Sequence, residues 1–403
     1  DMKVLVLNCG SSSAKFQLID TESEQVMIKG NAERIGDKES FLKVKTPDGK
    51  SNTIEQYFSD HTQAVELILK QLTNPQYHCI SSLDEIGAVG HRVLHGGSVF
   101  TKSCLVTPEV IEGIKKCIPL GPLHNPANLK GIAAVSQVLP KAPQVVVFDT
   151  SFHQTMPAKS YMYAIPRRFY DEYQIRRYGF HGTSHRYVSR RTCEILGLDP
   201  DHNRLISCHI GNGGSICAVK DGKCIDTTMG LTPLEGLMMG TRSGDIDPAA
   251  VLYIMKKEGL TPDQMDHLLN KESGVLGVTG KSSDMRDIEA GVAAGDKDCI
   301  LALAMYDQRI KKYVGAYLAE LGGADAIIFT GGVGENQAIT RETVCSGMEF
   351  CGIKLDKELN AKVHGTETVI STPDSKVKVI VVPTNEELVI ARDTVAIVTG
   401  KMK

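Results

Sequence analysis

The chain has 403 residues, more than one hydrophobic core usually serves, so two domains are expected. A composition of 42% hydrophobic and 23% charged residues excludes a disordered chain, and a net charge of -3 leaves no overall basic footprint for nucleic acid or an anionic membrane. Small anions remain possible ligands, held by local basic groups.

The eleven Cys include no C-x-x-C pair and sit mostly in apolar segments, as Cys208 and Cys217 do. They read as reduced core thiols, and a zinc site is not expected. No apolar stretch approaches the roughly 18 residues of a membrane span, and the chain opens on a strand-like run rather than a signal peptide. The cytoplasm is the expected compartment.

In chain order, the pattern predicts strands at 3–8, 15–20 and 26–30 and a helix at 62–73 with Ala64, Leu67, Ile68 and Leu72 on one face. "AVGHRVLHGG" reads as a strand ending in a glycine turn, a helix follows Pro126, and "QVVVFDTSFHQT" runs a buried strand into a polar loop. Strands separated by helices predict an α/β fold. The arrangement begins again at 204: "RLISCHIGNGGSICAVKDGKCID" is a strand, a glycine-rich tip and a return strand. Laying residue 10 on residue 211 superposes Gly10-Ser11-Ser12-Ser13 on Gly211-Asn212-Gly213-Gly214, which implies two halves of similar plan. A helix over 298–321 precedes "DAIIFTGGVGEN", a strand with a third glycine tip, and "VKVIVVPTNEELVIARDTVAIV" supplies a strand, a loop and a last helix.

Glycine-rich tips concentrate backbone N–H groups and let a polyphosphate approach the main chain. Ser11, Ser13 and Lys15 add hydroxyls and an ammonium to the first of them. "GVLGVTGKSS" at 274–283 is not a Walker A loop, because five residues separate Gly274 from Gly280 and no strand leads into it. Each tip alone is an ordinary turn. Two strand-turn-strand units in opposite halves and a strand ending in T-G-G-x-G together resemble the superfamily of actin, sugar kinases and heat-shock ATPases, in which the two hairpins face each other across a cleft.

The likeness sharpens at "NCGSSSAKFQLID", "GHRVLHGG", "PLHNPAN", "FDTSFHQTMP", "RRYGFHGTSHRYV", "GNGGSICAV", "TPLEGLMMGTRSGDID", "NKESGVLG", "SSDMRD", "FTGGVGEN" and "PTNEE". In content and order these resemble the acetate and propionate kinase family. The resemblance implies an α/β fold of two similar lobes of the actin-like ATPase, ribonuclease H-like type, with a nucleotide cleft between them. The first lobe would be 1–150 completed by 386–403, and the second 151–385. It further implies a homodimer, small-molecule substrates and no nucleic-acid or membrane partner.

By the same resemblance Arg92 contacts the substrate, and Arg242 and His181 meet the transferring phosphoryl group. On the residues alone, Arg92 and Arg242 could equally be surface arginines. The spacing of His181 and His185 could suggest a metal pair, but Gly182 interrupts the segment and Ser184 reads as a helix N-cap. His185 reads as structural and the run Arg186, Arg190, Arg191 as a solvated face. Asp149 ends a buried strand, where α/β folds place functional side chains, and could be a base or a ligand to magnesium-bound water. An acetate acceptor is already ionised at neutral pH, which favours the magnesium shell. Asn8 and Glu386 are the expected magnesium-side residues, with Mn²⁺ an alternative ion; the bare pattern "TNEE" equally suits a helix N-terminus capped by Asn385 or Thr384. ATP or ADP would be held by Lys15, Ser11, Ser13, His209, Ile210, Gly211, Asn212, Gly213, Asp284, Met285, Arg286, Gly332, Val333, Gly334, Glu335 and Asn336. Leu94, Leu123, Phe180 and Pro233 would line the acyl pocket, and a leucine at 94, where relatives often carry a smaller residue, should favour acetate over propionate. Two other readings stay open: a propionate or butyrate kinase, and an ATP-gated assembly or chaperone protein, which has no evident use for Arg92, His181 and Arg242.

Overall fold

The computed structural model describes residues 2–402. They form two compact units: one runs to Phe152 and resumes at Asn385, and the other is His153–Thr384.

The first unit is built on an eight-stranded sheet. Its strands are β1 (Lys3–Cys9), β2 (Ala14–Asp20), β3 (Gln25–Glu33), β4 (Phe41–Lys45), β5 (Ser51–Glu55), β6 (Ile86–Val93), β7 (Cys104–Leu105) and β8 (Gln144–Phe148), in the spatial order β5-β4-β3-β2-β1-β6-β8-β7. β1 is buried on both faces, so it reads as a continuous apolar run rather than an alternating one. Leu5 and Leu7 join a core cluster with the helices His61–Leu72 and Asn125–Val138, the second of which packs on β1, while Val4 and Val6 cluster with the last helix, Glu386–Val398. Gly90 in β6 admits that helix closely, since a Cβ there would lie 2.7 Å from Ile390 Cγ2.

The second unit repeats the plan. A six-stranded sheet contains β9 (Arg204–Ile210), β10 (Gly214–Lys220), β11 (Lys223–Thr227), β12 (Ala326–Thr330), β13 (Thr368–Val369) and β14 (Lys378–Val381), ordered β11-β10-β9-β12-β14-β13. In both sheets a central strand, β1 or β9, carries an antiparallel meander on one side and parallel strands on the other. The chain therefore turns sharply at equivalent places, after Cys9 and after Ile210. The long helix Lys297–Leu321 covers one face of this sheet through Tyr306, Ile310 and Val314. The helix Gly182–Leu196 lies beside β9.

Three local expectations change. β4 and β5 extend the first sheet; both are short and β5 is nearly all exposed, so neither has the apolar run that marks a strand in sequence. The third glycine segment is no open loop: Gly331, at φ +80°, ends β12, and Gly331–Asn336 coils into a short helix. Ser184 is not an N-cap. The helix begins at Gly182, and His181 holds the cap position in the left-handed region at φ +57°.

Candidate active site

At the first turn, the Gly10 N–H donates to the Ser13 carbonyl at 3.0 Å, while Ser11 and Ser12 stand exposed. His61 Nε2 lies 2.7 Å from the Gly10 carbonyl and ties the turn to the helix His61–Leu72. Asn8, Lys15 and Glu387 line one cavity of about 290 Å³ beside it, together with Lys29 and Lys43.

The strand ends on the other side of β1 hold a charged cluster. Arg92, one residue before the end of β6, donates from Nε and Nη2 to the two Asp149 oxygens at 2.9 and 2.7 Å. Asp149 follows β8 directly, is 2% exposed, and spends both oxygens on this fork. That geometry makes it the group that orients Arg92, a use that the residue pattern alone did not suggest. Arg92 Nη1 lies 3.8 Å from Glu386. Asp149 above all, with Glu386 and Glu387 adding to it, raises the Arg92 pKa further. Burial pushes the Glu386 carboxyl up to about 7 against the pull of Arg92, with Asp149 and Glu387 adding to the rise. Glu386 is also the first residue of its helix, capped by the Asn385 side chain, which accepts from the Leu388 N–H at 3.2 Å. Its two sequence readings are therefore compatible.

In the second unit Arg242 is the central group. Its Nη1 donates to the Pro233 carbonyl at 2.8 Å, and its guanidinium lies so close to the second turn that a Cβ on Gly213 would be 2.9 Å from Nη2. Burial lowers the Arg242 pKa, and among the described residues no carboxylate pairs with it. A half-buried guanidinium without a counter-charge is costly unless an anion visits it. Pro233 thus meets Arg242 through its backbone carbonyl, a contact its apolar side chain does not announce.

Behind Arg242's turn lies a histidine–serine network. His181 Nδ1 is 2.9 Å from Ser215 Oγ, which is also 2.8 Å from His185 Nε2; His185 Nδ1 is 2.7 Å from Ser207 Oγ. His209 stacks on His181 with centroids 4.2 Å apart, and its Nδ1 contacts Ser184 Oγ, which also meets Thr384. Burial holds the His185 pKa well below its ordinary value, so His185 is a neutral support. Ser207 and Ser215 had no place in the sequence reading, and Ser184 and Thr384 had one only as helix caps. A signal existed: a hydroxyl inside the apolar run "RLISCHI" must find a partner when buried.

The remaining residues divide. Gly211, Asn212 and Gly213 form the turn, with the Gly211 N–H donating to the Gly213 carbonyl at 2.9 Å, and Ile210 is buried in the core. Asp284 caps the helix Met285–Ala293 and pairs with the exposed Arg286 at 2.7 Å, but Met285 itself points into the core. Gly332, Val333, Gly334, Glu335 and Asn336 lie in the short helix after β12. Of the four apolar residues, Leu94 is half-buried and Leu123 is 69% exposed in the first unit, whereas Phe180 is 1% exposed in the second. Phe180 contributes its carbonyl to His153 Nε2 at 2.8 Å.

Two sheets of one plan, each turning through a glycine tip at its central strand, place the chain in the actin-like class of two-lobed α/β proteins. Within that class it belongs to the acetokinase family, whose profile matches residues 3–392. It is 62% identical to an acetate kinase of Bacteroides fragilis over 396 residues, covering 98% of this chain and 99% of the relative. An acetate kinase of Thermotoga maritima is 59% identical over 399 residues, with 98% and 99% covered. The crystal structure of Porphyromonas gingivalis acetate kinase matches with a TM-score of 0.97 at 55% identity, over 99% of this chain and all of the other. A propionate kinase from Francisella tularensis matches at 0.91 and 42% identity, over 98% and 99%.

Proposed function

We infer that the chain is an acetate kinase: it moves the γ-phosphoryl group of ATP to acetate, reversibly, giving acetyl phosphate and ADP. The observation that carries this reading is Arg242, a half-buried guanidinium with no carboxylate, held by the Pro233 carbonyl against a side-chain-free turn. Such a group is prepared for an incoming anion, and the family supplies its identity, a phosphoryl group.

The acceptor carboxylate is ionised at neutral pH and needs no base. What the reaction requires is positive charge that brings two anions together and positions them in line. Arg92, fixed by the Asp149 fork, serves the acetate carboxylate; Arg242 and His181 serve the transferring oxygens. Asp149 is then a positioning residue, and attack is direct with no phosphoenzyme. The Ser11 and Ser13 turn with Lys15, the turn His209–Gly213, Asp284–Arg286 and Gly332–Asn336 serve the nucleotide. Asp149, Glu386 and Glu387 bring three carboxylates to the single charge of Arg92, an excess of negative charge that suits a divalent cation. Asn8 and Glu386 would hold Mg²⁺, or Mn²⁺, which supplies neutralisation of the phosphate oxygens when bound.

Trapping with hydroxylamine tests the reading. Acyl hydroxamate should form with ATP and acetate, more slowly with propionate and least with butyrate. A pure preparation that forms none, or whose ATPase responds to peptide and not to acetate, would overturn it. A homodimer and a cytoplasmic location also fit the family, and sedimentation equilibrium checks the first by returning the mass of two chains.

A further inference from the structure

The second unit contains a buried cluster that the phosphotransfer reading does not use. His153, Cys217 and Cys224 are each 0% exposed, and one ligand atom from each lies within 4.8 Å of the others. Their sequence separation hides them, and their assembly depends on an irregularity in the β10–β11 ladder. Cys217 stands opposite Thr227 and Val219 opposite Cys224, with the register shifting between Ala218 and Val219. In an unbroken ladder Cys224 would face Lys220 and point to the opposite side of the sheet from Cys217; the extra residue of the bulge puts both sulfurs on one face.

His153 is aimed at them. Its Nε2 is 2.8 Å from the Phe180 carbonyl, which can only accept, so Nε2 carries the proton and Nδ1 presents its lone pair to the sulfurs. Nδ1 lies 3.1 Å from Cys224 Sγ and 4.0 Å from Cys217 Sγ. The ring is seated by Gly179, at φ +81°, where a Cβ would come within 2.8 Å of the imidazole. Thr155 Oγ1 donates to the Cys224 carbonyl at 2.7 Å and fixes the strand from the other side. A histidine whose far nitrogen is locked by a backbone carbonyl is the arrangement that orients imidazole ligands on metals.

We propose that His153, Cys217 and Cys224 form a structural site for a thiophilic divalent cation, Zn²⁺, which ties the β10–β11 hairpin to the segment at His153 and, through Phe180, to the turn that carries His181. The dimensions suit the ion. Zn–S and Zn–N bonds of tetrahedral geometry separate nitrogen from sulfur by about 3.6 Å, and the observed 3.1 and 4.0 Å lie on either side of that value. Two thiolates, one neutral imidazole and a dication sum to zero charge, so the buried cluster gains no net charge on binding. A monovalent cation would leave it anionic. Binding forms two metal–sulfur bonds and one metal–nitrogen bond and releases the two thiol protons to solvent. The Asp226 carbonyl, 3.5 Å from Cys224 Sγ, offers an oxygen for the fourth position.

The test uses the full-length chain, reduced and stripped with chelator, then titrated with Cd²⁺ as a spectroscopic probe and with Zn²⁺ in competition. One Cd²⁺ per chain should bind with thiolate-to-metal charge-transfer absorbance, and Zn²⁺ should displace it and raise Tm. Cys217→Ser and Cys224→Ser should each weaken binding by more than the 10–100-fold typical of outer-sphere losses, while Cys193→Ser leaves it unchanged. Should either variant fail to fold, ¹¹³Cd NMR of the parent chain decides instead, through a shift characteristic of two sulfurs and one nitrogen. Stoichiometry and affinity that survive both substitutions, an oxygen-type cadmium shift, or a Cys217–Cys224 disulfide in place of metal would each overturn the proposal.

Discussion

Arg341 offers the most demanding test of how the third glycine segment is held. It is 0% exposed, and no carboxylate partners it among the described residues; its donors instead spread over five acceptors. Nε reaches Asn360 Oδ1 at 2.7 Å, Nη1 the Gly334 and Glu335 carbonyls at 3.0 and 2.8 Å, and Nη2 the Asn360 and Val363 carbonyls at 2.9 and 2.7 Å. Burial pushes its pKa down to about 10, so it remains cationic at neutral pH. Arg341→Lys keeps the charge but gathers at most three donors on one point; the Glu335 and Asn360 carbonyls retain the Gly365 and Val363 N–H groups, and one or two of the other acceptors lose their donor. At about 1–3 kcal/mol for each buried unsatisfied group, the loss should be about 1–6 kcal/mol. Arg341→Met takes away every guanidinium donor, but the Glu335 and Asn360 carbonyls keep the Gly365 and Val363 N–H groups and a buried charge is removed as well, so its cost should be of the same order, about 3–5 kcal/mol. Urea unfolding at fixed m measures both. Because Gly334 and Glu335 lie in the segment assigned to nucleotide, the folded fraction of Arg341→Lys should show a raised KM for ATP with the KM for acetate nearly unchanged. Stability within 1 kcal/mol of the parent, on the order of an ordinary surface change, together with an unaltered KM for ATP would refute the reasoning.

Three further outcomes follow from the site and the core. Arg92→Ala should lower kcat and raise the KM for acetate, with kcat down about 10²–10³-fold in steady-state assays; Arg92→Lys should recover little of it, because the two-pronged bond to Asp149 is lost. Leu94→Ala should raise kcat/KM for propionate relative to acetate, within the roughly 10–200-fold that one methylene can command, and an unchanged ratio would remove Leu94 from the pocket. Asp307 is buried in the helix Lys297–Leu321 with Oδ1 unpaired, and burial pushes its carboxyl up to about 7. A folded pKa above the unfolded one means its stability contribution is complete below about 4 and is lost as pH rises through about 7. Asp307→Asn should therefore match the parent near pH 4 and exceed it by a few kcal/mol, of order 4 at most, above pH 8 in pH-resolved urea titrations; equal slopes with pH would show that Asp307 is ionised without penalty.

The elements legible in the sequence were those whose environment is uniform along the chain. β8 and β12 are buried throughout and β1 along its apolar run at 4–7, and such a run alone announces each of them. The turns after Cys9 and Ile210 were legible because glycine and serine have few other uses between two strands. What stayed hidden depends on partners far away in sequence. Asp149 grips an arginine 57 residues earlier, Ser215 joins histidines 30 and 34 residues away, and His153 meets a thiol 71 residues on. No local pattern records such pairings. A one-residue bulge, which moves Cys224 to the other face of its sheet, leaves no compositional trace either.

The weakness of the internal repeat has a physical cause at the same two turns. The ungapped overlay puts Gly213 on Ser12, but the second turn is one residue shorter: Cys9 pairs with Ala14 and Ile210 with Gly214, and the Gly10 and Gly211 N–H groups donate to the Ser13 and Gly213 carbonyls, so Gly213 is the counterpart of Ser13. Ser13 is half-buried and its hydroxyl has room because Gly10 has no side chain, where a Cβ would lie 2.7 Å from Ser13 Oγ. At Gly213 a Cβ would stand 2.9 Å from Arg242 Nη2 and 3.4 Å from Cζ, and would drive the guanidinium off the turn. The second half has therefore given up the hydroxyl that the first retains, in exchange for a cation lying directly on the main chain. One backbone plan thus provides two chemically different turns, hydroxyl-rich after β1 and arginine-backed after β9. On the proposed function that asymmetry has a use, since donor phosphates are held throughout while the moving group needs its charge met most strongly in the transition state.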